Sequence, residues 1–231
     1  MSTAARESPP AYVNANALAH LRDSDPVLRE LIDSLGKQRF ERTADRPGPG
    51  AHYASLVRAI VGQQLSTHAA RAIWSRLVER FDGHPPEPAQ ILASEPEELR
   101  AAVGLSRAKV ASLRSLAEHV ERGELELERL DDLPDEEVTA ELVAVRGIGP
   151  WSADMFLMFQ LERADVLAAG DLGIRRALER AYALEELPDV ATVEAIAEPW
   201  RPHRTLACRY LWLSLRNEPL QDAAPRGAAK R

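Results

Sequence analysis

Apolar residues recur every three or four positions along most of this chain, a spacing that places them on one face of an α-helix. The clearest such stretches are 53–61, 70–81, 110–120 and 138–145. Residues that favour helix starts precede two of these stretches, with Ser66 or Thr67 before the second and Ser106 before the third. Ala and Leu dominate the composition, and no stretch shows the convincing alternation of a β-strand. The sequence therefore predicts an all-α fold.

The ends of the chain differ from its middle in composition. Residues 1–16 are mostly small and polar, and the last residues are rich in Ala, Pro and basic side chains. Such segments bury too little apolar surface to fold stably. We therefore predict a flexible leader at 1–16, one helical domain at 17–217 and a flexible tail at 218–231. A chain of 231 residues is long enough for that domain to consist of two lobes.

Residue content also excludes several classes of protein. The single cysteine, Cys208, cannot form an internal disulfide or a four-cysteine iron–sulfur cluster. The six histidines show no paired ligand spacing, so the sequence predicts no transition-metal site. We find neither a signal peptide nor an apolar run of about 20 residues, the length that spans a bilayer. We expect a cytoplasmic protein that does not contact membranes.

The segment 142–154 carries the most specific motif. It joins the end of one apolar helix to the start of another through Gly147, Ile148 and Gly149. Two glycines allow a tight turn with positive φ, and Ile148 can anchor that turn in the core. Backbone N–H groups at the start of the second helix, which contains Ser152, suit a phosphate. An ordinary turn between helices is the alternative interpretation.

Two further segments complete the pattern. Asp171 precedes a predicted helix that starts at Leu172. Its carboxylate is either a helix cap or a reactive group, and the two roles are compatible. Upstream, residues 60–66 join two apolar helices and contain Gln64 and Leu65. The simplest interpretation of this second segment is a polar turn between helices.

Together these segments resemble the helix-hairpin-helix superfamily of DNA glycosylases over roughly residues 53–215. The resemblance is to the alkyladenine branch, the DNA-3-methyladenine glycosylase II type, in a short form without an N-terminal β domain. It implies two helical lobes that flank a DNA-binding and active-site cleft, with the hairpin at about 138–160. It also implies that Asp171 is the catalytic aspartate. Gln64 lies at the position of the wedge that enters the gap left by a flipped base, and Leu65 lies beside it.

The residue types indicate hydrolysis of an alkylated base. Related glycosylase-lyases use a lysine nucleophile in the second hairpin helix, where this chain has Trp151. An N3- or N7-alkylated purine is cationic and leaves readily, so one carboxylate suffices to stabilise the sugar cation or to activate water. A cationic base also suits an aromatic pocket, for which Trp151 and Tyr53 are the candidates.

The predicted function is therefore that of a monofunctional DNA glycosylase in base excision repair. Its substrates would be bases such as N3-methyladenine and N7-methylguanine in damaged double-stranded DNA. Two alternatives stay open: a non-catalytic helix-hairpin-helix DNA-binding module, and a hydrolytic glycosylase for other damaged or mismatched bases. We expect a monomer that needs no cofactor.

The net charge of −7 conflicts with binding to a polyanion. Acidic residues concentrate between Glu118 and Glu141, which predicts a solvated face away from DNA. Arg107 and Lys109 lie at a predicted helix start and are candidates for other DNA contacts. We predict few phosphate contacts and a moderate dependence of binding on salt. The resemblance further implies a monovalent cation, Na⁺ or K⁺, at the hairpin backbone of Arg146 and Ile148.

Overall fold

A computed structural model of the protein describes residues 9–36, 38, 40 and 49–215. In this part of the chain the regular structure is helical throughout, which confirms the predicted all-α fold. The helices are α1 (Ala15–Ser24), α2 (Pro26–Leu35), α3 (Pro49–Gly62), α4 (Thr67–Arg80), α5 (Pro88–Ala93), α6 (Pro96–Val103), α7 (Arg107–Glu121), α8 (Asp135–Ala144), α9 (Pro150–Phe159), α10 (Leu172–Ala181), α11 (Val190–Ala197) and α12 (Arg204–Ser214), with a short 3-10 turn at Glu198–Trp200. None of these described helices is both long and apolar enough to cross a membrane.

Side-chain caps explain why several helices begin where they do. Asp25 accepts hydrogen bonds from the N–H groups of Val27 and Leu28 at the start of α2, at 2.9 and 3.0 Å. Ser66 caps α4 and Ser106 caps α7, as their sequence positions predict. Each cap satisfies backbone donors that lack a partner inside the helix.

The first of two compact units comprises Met1–Tyr12 and Phe40–Val166, and we call it the hairpin unit. Helix α3 packs against α4, α7 and α9, α5 packs against α7, and α8 packs against α9. The core of this unit contains aliphatic side chains that are at most 1% exposed, among them Leu56, Ile60, Leu113, Leu116 and Leu142. Burial of such side chains supplies most of the stability of the unit.

The second unit comprises Val13–Arg39 and Leu167–Arg231, and we call it the aspartate unit. Helix α12 packs against α2 and α10, and α1 packs against α2. Besides capping α2, the buried Asp25 carboxylate accepts hydrogen bonds from the Trp200 indole, at 2.8 Å, and from the Tyr182 hydroxyl. Because a buried polar group is costly unless it is hydrogen-bonded, these donors offset the cost of burying Asp25.

Helical structure begins earlier than predicted. Helix α1 starts at Ala15, inside the predicted leader, and Tyr12 is only 5% exposed. The first eight residues of that leader and the whole predicted tail at 218–231 lie outside the described residues. The cleft that we expected between two lobes stays a prediction.

Candidate functional site

The predicted hairpin is present, with α8 and α9 joined by residues 145–149. Gly147 adopts φ +85°, and a Cβ built on it would lie 2.2 Å from Oγ of Ser112 in α7. Only glycine fits this position, for reasons of both backbone conformation and space. Ile148 is 5% exposed, so it anchors the turn in the core as its position predicts. The hairpin is thereby held against α7.

Two of the four residues predicted to bind phosphate, Ile148 and Ser152, use their backbone N–H groups within the protein. The Ile148 N–H donates to the Val145 carbonyl at 3.1 Å. Pro150 has no N–H, and the N–H groups of Ser152 and Ala153 donate to the Gly149 carbonyl at 2.9 and 3.1 Å. Ser152 is also 8% exposed, so it is largely buried. In the described part of the chain, the N–H groups of Gly147 and Gly149 have no protein acceptor. These two groups are the ones that can meet an anion.

The loop between α3 and α4 is tied to the hairpin. Gln63 donates a 2.8 Å hydrogen bond from Nε2 to the Gly147 carbonyl. The next residue, Gln64, has a left-handed φ of +56° and is exposed. Leu65 is 37% exposed. Both predicted wedge residues therefore lie at the surface, next to a fixed Gln63.

An open pocket of about 660 Å³ lies between this loop and the hairpin. Its lining includes three of the predicted hairpin residues and both predicted wedge residues; its lining residues are Arg58, Ala59, Gly62, Gln63, Gln64, Leu65, Gly147, Gly149, Trp151, Ser152 and Met155. Trp151 is 49% exposed, so about half of its surface faces solvent. The structure thus brings Trp151, Gln64, Leu65 and the hairpin glycines to one place.

The prediction that Tyr53 lines the same pocket does not agree with the structure. Tyr53 is 4% exposed and is absent from the pocket lining. Burial, assisted by the charge of Glu121, raises the pKa of its phenol. Its buried hydroxyl has no hydrogen-bond partner among the described residues. Tyr53 follows the helical period of α3 and packs in the core of the hairpin unit.

The two predicted cationic contacts, Arg107 and Lys109, both interact within the protein. Arg107 pairs with Glu97 at 3.1 Å, although its side chain is 82% exposed. Lys109 donates from Nζ to the Val61 carbonyl at 2.7 Å, and burial lowers its pKa. That bond caps the carboxyl end of α3 where the loop with Gln64 begins. Lys109 therefore stabilises the loop, and its ammonium group is already hydrogen-bonded within the protein.

Asp171 lies in the aspartate unit as the N-cap of α10. Its Oδ1 accepts hydrogen bonds from the Ile174 N–H at 2.9 Å and from the Trp212 indole N–H at 2.8 Å. The side chain is half-buried. Two donors on one carboxylate oxygen fix the orientation of the group. The predicted cap is confirmed, and the geometry also suits a reactive carboxylate.

Two residues beside Asp171 were missed in the sequence. A Cβ on Gly173 would lie 2.9 Å from Oδ1 of Asp171 and 3.1 Å from Cδ1 of Trp212, so glycine leaves the room that the Asp171–Trp212 bond needs. Glycine in the first turn of a helix is unfavourable, and this was the available signal. Trp212 carried no signal, because an indole in an apolar helix is typical of a core.

Asp154 in α9 provides a prediction about stability. Burial raises the pKa of its carboxyl to about 6, from a usual value of 3.8. The folded state favours the neutral acid, so the stability that protonation provides is lost as pH rises through about 6. Asp154→Asn is expected to raise the free energy of unfolding by about 1–2 kcal/mol near pH 8, and by roughly half as much near pH 5.

Urea unfolding of both proteins at the two pH values checks this expectation. Asp132→Asn, at an exposed loop position, is the matched control and is expected to change stability by less than about 0.5 kcal/mol. An Asp154→Asn gain that is the same at both pH values would show that charge burial is not its cause.

Comparison with known proteins places these features in a family. The model of the HhH-GPD superfamily of base excision DNA repair proteins matches residues 57–202. DNA-3-methyladenine glycosylase 1 of Schizosaccharomyces pombe is 35% identical over 195 residues, which cover 84% of each protein. DNA-3-methyladenine glycosylase 2 of Escherichia coli is 29% identical over 185 residues, covering 73% of this chain and 61% of that protein.

Solved structures agree with the sequence matches. The 3-methyladenine DNA glycosylase of S. pombe in complex with abasic DNA has a TM-score of 0.77 at 34% identity, covering 87% of this chain and 97% of that one. The DNA-3-methyladenine glycosidase of Bacillus halodurans has a TM-score of 0.75 at 35% identity, covering 87% of this chain and 89% of that one. The chain belongs to the HhH-GPD superfamily of base excision DNA repair proteins.

Proposed function

We propose that this protein is a monofunctional DNA glycosylase that releases alkylated bases, such as N3-methyladenine and N7-methylguanine, from duplex DNA. The observation that carries the proposal is the fixed carboxylate of Asp171, held by the Ile174 N–H and the Trp212 indole. Relatives named as DNA-3-methyladenine glycosylases support the class of substrate. The S. pombe relative was solved with abasic DNA, the product of such a reaction.

The proposed reaction breaks the bond between C1′ of the deoxyribose and the base nitrogen. The base leaves with the bonding electron pair, which neutralises the positive charge of an alkylated purine. Positive charge develops on the sugar, and a fixed carboxylate stabilises it more than mobile water does. Water adds to C1′ and loses a proton. Asp171 acts on the sugar cation, on the water, or on both in turn.

Trp151 supports hydrolysis and the choice of an alkylated base. It stands where lyases of this superfamily carry a lysine, so the chain lacks the amine that would form a Schiff base. Its half-exposed indole lines the pocket beside the hairpin. The face of an indole attracts a cation, which favours a cationic alkylated purine over a neutral base.

The hairpin and the loop with Gln64 and Leu65 supply the proposed DNA contacts. The N–H groups of Gly147 and Gly149 bind a backbone phosphate, and the tip of the loop enters the space left by the flipped base. A monovalent cation at the carbonyls of Arg146 and Ile148 would bridge the hairpin to the same phosphate. These carbonyls accept no backbone hydrogen bond in the described hairpin, which fits such a ligand.

A duplex oligonucleotide with one N7-methylguanine tests the proposal. We expect the enzyme to leave an intact strand with an abasic site that breaks only after alkali. Sodium borohydride should trap no covalent complex, because hydrolysis forms no Schiff base. A strand nicked without alkali, together with a borohydride adduct, would contradict the monofunctional assignment. Binding without any base release would instead favour a DNA-binding module.

Trp212 is expected to position Asp171, which gives a second prediction. Trp212→Phe keeps a ring but removes the indole N–H from Asp171 Oδ1. Because hydrogen bonds to charged groups contribute about 1.5–3 kcal/mol, we expect single-turnover base release to slow by about tenfold or more. The affinity for abasic-site DNA should change by less than about threefold, a difference under 1 kcal/mol.

Gly170 and Gly173, which lie close to Asp171 in the sequence, provide a matched pair of alanine variants for this prediction. Gly173→Ala forces a Cβ against Asp171 and Trp212, whereas a Cβ on Gly170 meets nothing within 4 Å. We expect Gly173→Ala to slow base release as Trp212→Phe does, and Gly170→Ala to leave the rate unchanged. Equal rates of base release for Gly173→Ala and Gly170→Ala would show that Trp212 does not position Asp171.

A further inference from the structure

A second pocket lies beside the loop that contains Gln64 and Leu65, on the surface formed by α3 and α4. It encloses about 300 Å³, and its lining includes Arg58, Arg71, Thr67 and Trp74. None of the described residues that line it is acidic. Arg58, Gly62 and Leu65 line both this pocket and the pocket of Trp151, so the two cavities adjoin.

Neither arginine of this pocket has an acidic partner among the described residues. Arg58 and Arg71 are exposed, and within the described residues neither makes a hydrogen bond or an ion pair. Elsewhere in the hairpin unit, Arg100 and Arg107 pair with Glu97, at 2.6 and 3.1 Å, and Arg129 pairs with Glu126 at 3.3 Å. In a protein with a net charge of −7, two unpaired guanidinium groups in one pocket are available to an external anion.

Two features orient these charges before any ligand arrives. The guanidinium carbon of Arg58 lies 5.7 Å from the centroid of the Trp74 ring, a distance at which a cation and an aromatic face attract. Helix α4 begins at Thr67 in the pocket wall, so the positive end of a 14-residue helix adds to the field. A planar guanidinium held against a ring loses little entropy when it binds a phosphate.

We infer that this pocket binds a backbone phosphate of the complementary strand, opposite the damaged nucleotide. The inference rests on the proposed function, in which the tip of the loop enters the duplex. The hairpin residues and Trp151 line only the first pocket, which is assigned to the damaged strand. Arg71 and Trp74 of α4 line only the second pocket, which is therefore assigned to the other strand of the duplex.

The pocket also resolves part of the conflict between acidic charge and DNA binding. The two candidates chosen from the sequence, Arg107 and Lys109, have partners inside the protein. Arg58 and Arg71 gave no signal in the sequence, because they stand among apolar helical positions like any solvated charge. Their lack of partners is visible only in the structure.

The test compares Arg71→Ala with Arg80→Ala in the complete protein. Arg80 is an exposed arginine on the same helix that contacts the Phe81 ring and does not line the pocket, so Arg80→Ala removes the same charge outside the pocket. Binding is measured by fluorescence anisotropy on a duplex with a tetrahydrofuran abasic-site analogue and on the corresponding single strand.

Arg71→Ala is expected to weaken binding to the duplex by about tenfold and to lower the slope of log K against log salt by about 0.9, the loss of one phosphate contact. Binding to the single strand should stay within about twofold of the wild-type value, since the complementary strand is absent. An uncharged methylphosphonate at one position of the complementary strand should abolish the difference between Arg71→Ala and wild type. Arg80→Ala should bind the duplex and the single strand with the wild-type affinity and the wild-type dependence on salt.

The inference would be overturned if Arg71→Ala weakened binding to the duplex and to the single strand equally. It would also be overturned if no methylphosphonate in the complementary strand removed the difference in affinity between Arg71→Ala and wild type. Similar losses for Arg71→Ala and Arg80→Ala would show a general charge effect only. Base release by the wild-type protein is followed separately. If duplex binding by the wild-type protein depends on Arg71 but no base is released, only the proposed function is wrong. If base is released but duplex binding does not depend on Arg71, only the assignment of the pocket is wrong.

Discussion

Asp171→Asn is expected to slow single-turnover base release by at least about a thousandfold, because it removes the only charge that we assign to the developing sugar cation. Asparagine caps helices about as well as aspartate, and its amide oxygen can accept from both Ile174 and Trp212. The fold and the affinity for abasic-site DNA should therefore be kept. Loss of catalysis without loss of binding is the expected signature.

A second N-cap aspartate supplies the control. Asp189 caps α11 in the same unit and accepts a 2.8 Å hydrogen bond from the Thr192 N–H. Asp189→Asn is expected to leave the rate of base release within about twofold of wild type, since asparagine and aspartate cap helices about equally well. If Asp171→Asn retained a tenth of the wild-type rate, the carboxylate would not carry the chemistry, and only its role as a cap would remain.

Gly147→Ala is expected to weaken binding to duplex DNA by at least about thirtyfold, equivalent to about 2 kcal/mol. The backbone at Gly147 has φ +85°, and an added Cβ would lie 2.2 Å from Oγ and 2.9 Å from Cβ of Ser112. Ser112 is 6% exposed in α7, so it has little room to move. The hairpin must shift instead, which displaces the Gly147 and Gly149 N–H groups.

Gly149→Ala distinguishes this cause from a general sensitivity of the hairpin. Gly149 has φ −106°, and a Cβ on it meets nothing within 4 Å. We expect this variant to bind duplex DNA within about threefold of wild type, a change below 1 kcal/mol. Circular dichroism checks that both variants keep their helices. Equal losses of affinity in the two variants would mean that the close approach to Ser112 is not what shapes the phosphate site.

Much of the fold follows from local features of the sequence. The caps Asp25, Ser66, Ser106 and Asp171 each accept a hydrogen bond from a nearby backbone N–H, and such bonds depend on residues within three positions. The hairpin turn was predicted for a similar reason, since the positive φ of Gly147 is a local property of the turn. Three short helices, α1, α5 and α11, were not predicted. In α5, Pro88 stands at the first helical position, where proline is well tolerated, so proline does not exclude a helix there.

The candidate site was predicted where its residues are close in sequence and missed where they are distant. Asp171 and Trp151 were identified from their motif. Trp212 lies 41 positions from the carboxylate that it contacts, and nothing in the pattern of α12 marks it. Lys109 was assigned to DNA because it starts a helix, whereas its partner is a carbonyl 48 positions earlier. Which charges are already paired depends on tertiary contacts, and periodicity carries no information about these.

The most direct test of the central claim is the release of free bases from duplex DNA treated with a methylating agent, analysed by chromatography for wild type, Asp171→Asn and a sample without enzyme. We predict that the wild-type protein releases N3-methyladenine and N7-methylguanine well above the rate of spontaneous loss. Asp171→Asn should release neither faster than the sample without enzyme, while still binding abasic-site DNA. Wild-type release no faster than the spontaneous rate, in a protein that binds duplex DNA, would contradict the account.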